Sequence, residues 1–244
     1  MEIVGGRAGY DFVSFTGEKH QSISRFRGGE ITTEIRLKKE NKKIIVVLSK
    51  IPFVRSFSMF LELIIEYWRR FLFAIIVLLL MEYLFIGTSN SYLSHTVSIS
   101  TLKMFFGALF IAGLIIKITP IGKYHSSEHQ VANAYLKDPN LTLEEVKKQP
   151  RTHKDCGTNL VVSVVICFFI LSMIFDDASW VFLVSWSIGF EVWKSEPKGI
   201  WNLVLMIGKV TQYMLFTSKP KEKHLIVAIE ALTKLEEKEL ANEN

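Results

Sequence analysis

Cysteine is nearly absent. Cys156 and Cys167 are the two in 244 residues, too few for a disulfide framework, and Cys167 sits inside an apolar run where it behaves as a small hydrophobe. The acidic, glycine-containing start lacks the basic n-region and apolar h-region of a cleavable signal peptide, so none is expected. A Walker loop, a dinucleotide fingerprint, a kinase motif set and a nucleophile elbow are missing, and Gly5-Gly6 lacks the strand-to-helix glycine spacing that cradles phosphate. No specific nucleic-acid motif occurs either. Lys and Arg are missing altogether from residues 87–101 and 176–179. What the chain does have is apolar content: 49% hydrophobic residues, 22% charged and a mean hydropathy of +0.27, which excludes a disordered tail or a collagen-like fibre.

That apolar content concentrates in residues 71–86, 102–118, 160–175 and 180–192, which predict four membrane helices. At about 1.5 Å of rise per residue the blocks are slightly short for a hydrocarbon core of about 30 Å, so flanking residues must complete each span. Arg69, Arg70, Lys103 and Lys117 can snorkel, and Trp68, Tyr83, Tyr92, Trp180 and Trp193 suit the interfaces. A soluble bundle would need polar faces that these blocks lack. Lys and Arg number thirteen in residues 1–70, six in 119–159 and eight in 193–244. By the positive-inside rule both termini and residues 119–159 are therefore cytoplasmic, giving four spans in the cytoplasmic membrane with two short outer loops.

The first 50 residues follow a different pattern. Residues 21–27 and 30–37 alternate polar and apolar around Gly28-Gly29, which supplies the positive φ of a two-residue hairpin turn. Residues 44–49 read as a third strand after a basic turn (38–43), and Gly5-Gly6 as a preceding turn. Phe57, Phe60, Leu61, Ile64 and Ile65 predict an interfacial helix or cytoplasmic lead over 55–68, interrupted by Glu62 and Glu66. Leu225, Ala228, Ile229, Leu232 and Leu235 recur at helical spacing and predict an amphipathic C-terminal helix docked on the cytoplasmic domain. The expected fold class is an α+β integral membrane protein: a small N-terminal antiparallel β-sheet, a four-helix transmembrane bundle and that last helix. Its parts are a β-rich domain (1–54), the lead and first two spans (55–118), a His/Cys-containing segment (119–159), two further spans (160–193) and a cytoplasmic C-terminal region (194–244).

Candidate chemistry falls in the central segment. Tyr124-His125-Ser126-Ser127-Glu128-His129 contains His-x-x-Glu-His. On a helix, His125 and His129 lie four residues apart and can share one metal ion, with Glu128 close enough to act on a metal-bound water; the spacing is that of inverzincin peptidases. Two interfacial histidines and a solvated glutamate would leave the same pattern. Thr142 and Glu145 form a capping box for a short helix stopped by Pro150, and the chain then reads Arg151-Thr152-His153-Lys154-Asp155-Cys156-Gly157-Thr158. His153 and Cys156 are both good zinc ligands on the same predicted side as His125, and two such clusters in one segment favour a joint site. A buried thiol and a hydrogen-bonded loop histidine are the alternatives. Glu191 is a further candidate ligand, because an acid at the end of an apolar block is costly unless paired, hydrated or coordinating.

These two clusters, with Gly5-Gly6-Arg7-Ala8, Ile51-Pro52-Phe53-Val54-Arg55, Gly189-Phe190-Glu191 and Val227-Ala228-Ile229-Glu230-Ala231-Leu232 in order, resemble the YqhQ-like bacterial membrane proteins over most of the chain. That family is a domain of unknown function often labelled a predicted metal-dependent enzyme. The chain departs from the usual family pattern at Ser126-Ser127, Gln130 and Lys154-Asp155, and near the start at Asp11 and Thr16, while the residues expected to bind metal persist.

Two readings follow. In one, the chain is an integral-membrane zinc-dependent hydrolase. Zn2+ or another divalent metal is held by His125, His129 and a third ligand among His153, Cys156 and Glu191, with Glu128 as general base at the cytoplasmic membrane face. In the other it is a membrane scaffold or membrane-protein biogenesis factor with a structural metal or none, whose basic sheet meets anionic lipid or a partner such as nucleic acid or the ribosome; a membrane-protein or ribosome-associated partner and a homo-oligomer are the expected associations. Three protein ligands plus water favour catalysis and four favour structure. The run Arg36, Lys38, Lys39, Lys42 and Lys43 suits a solvated turn, with anionic headgroups the expected contact.

Overall fold

The computed structural model describes residues 1–39, 42–85, 99–175 and 179–241. They divide into two compact units, one formed by Met1–Lys39, Phe106–Asn159 and Asn202–Asn244, the other by Glu40–Phe105 and Leu160–Trp201. Four strands open the chain: β1 (Gly5–Ala8), β2 (Phe12–Thr16), β3 (His20–Arg27) and β4 (Glu30–Leu37). The helices α1 (Lys43–Leu48), α2 (Arg55–Phe85), α3 (Ile99–Ile118), α4 (Pro120–Tyr135), α5 (Leu143–Lys148), α6 (Gly157–Phe175), α7 (Ser179–Ser195) and α8 (Ile200–Thr211) follow. One π-helical turn (Gln212–Phe216) extends α8, and α9 (Glu222–Leu240) comes last.

In the first unit the strands form one antiparallel sheet in the order β1-β2-β3-β4. Gly28 and Gly29, at φ 61° and 92°, make the two-residue turn between the paired Arg27 and Glu30. Strand alternation puts Val13 and Phe15 on one face of β2, directly opposite Ser24 and Ser22 of β3. The small serines let a helix backbone come close, and Ser22 Oγ donates to the Ala231 carbonyl of α9 at 2.5 Å. The apolar stripe of α9 (Leu225, Ala228, Ala231, Leu232, Leu235) buries against the sheet and against Val131 and Tyr135 of α4. At its far end Glu239 Oε1 accepts the backbone N–H groups of Lys19 (2.9 Å) and His20 (2.7 Å), and a Cβ at Gly17 would crowd that oxygen. The expected docking of the C-terminal helix is thus to the sheet and α4. Thr142 caps α5 through its side chain, accepting from Glu145 N–H at 3.3 Å.

In the second unit α2 is two helices joined at Tyr67, whose φ of −114° and ψ of 24° are not helical, which separates the expected lead from the first apolar block. Leu160 and Val164 of α6 pack on Phe190 of α7, closely enough that a Cβ at Gly189 would collide with the Val164 backbone. Among the described residues one helix is long and apolar enough to cross a membrane, α6 over Gly157–Phe175. The expected outer loops (87–101 and 176–179) and Tyr92 fall largely or wholly outside the described residues.

Two elements differ from expectation. Of residues 44–49, read as a third strand, 44–48 belong to helix α1, which packs on α2, and Ser49 is its C-cap. A continuous apolar run carries no alternation to favour either state, and a helix satisfies its own backbone without a partner strand. Gly5-Gly6, read as a turn, lies in β1, where Gly6 pairs with Phe15; β1 and the equally unexpected β2 take the place of 44–49 beside the hairpin, so the sheet has four strands rather than three.

Candidate metal centre

Helix α4 begins with Pro120 in its first turn, after Thr119 in an extended conformation, and carries His125, Glu128 and His129 into the core of the first unit. The four-residue spacing brings the two imidazole centroids to 4.3 Å. Cys156, just ahead of α6, reaches the same place, with Sγ 3.6 Å from His125 Nε2. Two ligands on one tetrahedral zinc ion, with bonds of about 2.0 and 2.3 Å, lie about 3.5 Å apart. One ligand atom from each of His125, His129 and Cys156 falls within 4.8 Å of the others, so the group can hold a metal ion.

Backbone carbonyls set both imidazoles. The Phe216 carbonyl lies 3.1 Å from His125 Nδ1 and the Arg151 carbonyl 2.8 Å from His129 Nδ1. A carbonyl can only accept, so Nδ1 carries the proton and Nε2 keeps its lone pair, the tautomer a metal needs. Burial lowers the pKa of His125, and lowers that of His129 well below its usual value, with the neighbouring His125 adding to the effect. Both are therefore neutral and ready to ligate at neutral pH. Burial pushes the Cys156 thiol up, and its Sγ–H donates to Thr158 Oγ1 at 3.4 Å.

Glu128 is 8% exposed, and its Oε2 lies 3.6 Å from His129 Nε2. Burial pushes its carboxyl up to about 8. Strand β1 lies over it, and a Cβ on Gly6 would collide with Glu128 Oε1. The second glycine of the chain's opening is thus where backbone meets the carboxylate.

His153 has its ring stacked on that of His129, with centroids 5.9 Å apart. Its Nδ1 accepts the Asp155 backbone N–H at 3.2 Å, so Nε2 carries the proton, and that nitrogen is buried without a hydrogen-bond partner. In this tautomer His153 is a donor beside the three-residue group. Glu191 is engaged elsewhere: in the second unit it pairs with Arg55 and accepts the Phe53 N–H at 2.8 Å.

Several supporting residues escaped the sequence reading. Gln212, fully buried in the π-turn, accepts the His153 N–H at 2.9 Å and donates to the His153 carbonyl (3.1 Å) and to Asn159 Oδ1 (3.2 Å). Gln130 Nε2 donates to the Gln149 carbonyl (2.8 Å), and Asn133 Nδ2 to those of Pro150 (3.1 Å) and Thr152 (3.0 Å), which fixes the loop presenting Arg151. Arg151 in turn lies over the Tyr213 ring, 4.4 Å from its centroid. A lone glutamine in the apolar run at 200–216 was the available signal for Gln212, since a buried amide needs partners.

A family model described as "Protein of unknown function (DUF1385)" matches residues 30–238. The curated "Uncharacterized protein YqhQ" of Bacillus subtilis (strain 168) is 25% identical over 241 residues, spanning 91% of this chain and 73% of that protein. No solved structure matches.

Proposed function

Since the chain belongs to the DUF1385 family, whose description assigns no activity, the site itself carries the reading, and we propose that the protein is an integral-membrane, metal-dependent hydrolase. The supporting observation is a set of three ligand side chains, His125, His129 and Cys156, with a buried carboxyl beside it. Three protein ligands leave a position open, as catalytic zinc sites do. His125, His129 and Cys156 would hold a zinc ion, which when bound would supply Lewis acidity for a hydrolytic water. Glu128 takes and returns the proton at Oε2, which lies 3.6 Å from His129 Nε2 at the edge of the ligand group. Phe216 and Arg151 hold the imidazoles through their carbonyls, and His153 Nε2–H is a donor for a substrate oxygen. The substrate class is a peptide, amide or ester at the cytoplasmic membrane face. Four spans with both termini inside complete the reading, supported by the Lys and Arg asymmetry and by the one described helix long enough to cross.

Glu128→Gln tests it. The variant should keep its zinc and fold while losing a proton acceptor that contributes roughly 10²- to 10⁴-fold in rate. His125→Ala and His129→Ala should lose zinc. Metal content by elemental analysis, read beside complementation in cells, separates the outcomes: retained zinc with full function in Glu128→Gln would favour a scaffold with a structural ion.

A further inference from the structure

Helix α8 and its π-turn are amphipathic in the reverse of the soluble sense. The face turned into the first unit carries Val204, Gly208 and Gln212, all buried at near four-residue spacing. Gly208 is so close to Asn159 that a Cβ would collide with Oδ1, and Gln212 is hydrogen-bonded to the same side chain. The outward face carries Leu203, Met206, Ile207, Val210, Tyr213 and Met214, each 36–59% exposed. The last turns of α3 add Phe110, Ile111, Ile115 and Ile118, 51–79% exposed. The two helices meet where Lys117 Nζ donates to the Tyr213 carbonyl at 2.8 Å and Gly113 lies against Leu215 and Phe216. An apolar surface shared by two helices, with small and polar residues inside, is arranged for an apolar solvent.

We infer that Ile200–Phe216 lies in the plane of the membrane interface, its outer face against phospholipid. This mainly apolar helical segment of seventeen residues spans about 25 Å, less than the hydrocarbon core of about 30 Å, so it is short for a crossing. The exposed Lys209 in mid-helix is costly in a span, but in an in-plane helix it reaches the headgroups. Exposed Lys219 and Lys221 follow at the C-terminal end, where anionic headgroups attract cations at about 1 kcal/mol each. The apolar surface is also joined through the chain to the candidate span: α6 starts at Gly157, the residue after Cys156, and Asn159 in its first turn is the one that α8 grips. The region expected to be wholly cytoplasmic from residue 194 onward thus contains a membrane-seated helix. The carbonyl that orients His125 sits at the end of that helix.

The test uses the full-length protein in nanodiscs containing phosphatidylglycerol, with the photo-crosslinker benzoylphenylalanine placed singly at Met206, Val210 or Met214. Met173, 87% exposed on α6, is the lipid-facing reference, and the exposed Glu237 of α9 the aqueous one. Mass spectrometry should find phospholipid adducts at 206, 210 and 214 in yields comparable to Met173, and none at Glu237. Absence of lipid adducts at all three positions, or adducts to a second copy of the chain in their place, overturns the inference whatever the metal content of the sample.

Discussion

Replacing Glu128 by Gln should make the metal-free protein more stable, and increasingly so as the pH rises. The residue is 8% exposed, and its carboxyl is pushed from the usual 4.5 up to about 8 by burial. The folded chain therefore binds this proton more tightly than the unfolded chain. The contribution is fully present below about pH 4.5 and is lost as the pH rises through the folded value near 8. At about 1.4 kcal/mol per pH unit, the loss is about 2 kcal/mol at pH 6 and between about 4 and 5 kcal/mol at pH 8.5. Glutamine has a similar shape and no charge to desolvate, and any packing difference it introduces is independent of pH. The stability gap between Glu128→Gln and wild type should thus widen by about 2–3 kcal/mol between pH 6 and 8.5, roughly 5–10 °C in Tm for a chain of this size. The assay is thermal unfolding of chelator-treated protein at the two pH values, because a bound cation changes the local electrostatics. An unchanged gap, or a gap favouring wild type at pH 8.5, would refute the claim that this carboxyl is buried uncompensated.

Other perturbations probe the neighbours. Gly6→Ala adds a methyl where Glu128 Oε1 lies, so the carboxylate should be displaced at a cost of about 1–3 kcal/mol. Zinc content should hold while complementation falls as in Glu128→Gln. Glu239→Ala strips the part-buried Lys19 N–H and the buried His20 N–H of a charged acceptor and should cost about 2–4 kcal/mol, read as a lowered Tm. The carboxyl of Glu239 is held below its usual range by those N–H groups and His20 despite its burial, so its contribution is present above the usual carboxylate pKa and is lost on acidification through the lower folded value; the Tm gap to the variant should close at low pH. A cysteine at position 140 should be labelled only after permeabilisation of intact cells, and labelling from outside would defeat the four-span topology.

What the sequence disclosed depended on whether a feature is local. The Gly28-Gly29 hairpin and the 3.6-residue stripe of α9 are written in neighbouring residues, and so is the four-residue step from His125 to His129. Adding Cys156 to that pair needed only the expectation that two clusters in one segment meet. Gly6 was misread because its reason lies at residue 128: a glycine suggests a turn, but here the missing Cβ admits a carboxylate. Residues 44–48 have no periodicity to decide between states. The π-turn after α8 was missed since an apolar run does not say which face is turned outward, and Gln212 acquires its role only from Asn159 and His153.

The sheet and its covering helix are bound across almost the whole chain, with Glu239 gripping residues 19 and 20 over separations of 220 and 219. During translation the hairpins emerge first, but Val13 and Phe15 have no cover until α9 leaves the ribosome. The carbonyl that fixes the His125 tautomer is likewise made 91 residues after the histidine itself. A metal ion held by His125, His129 and Cys156 would therefore meet its complete site only after residue 216 has been made, and until α9 emerges the nascent sheet has an exposed apolar face that invites shielding.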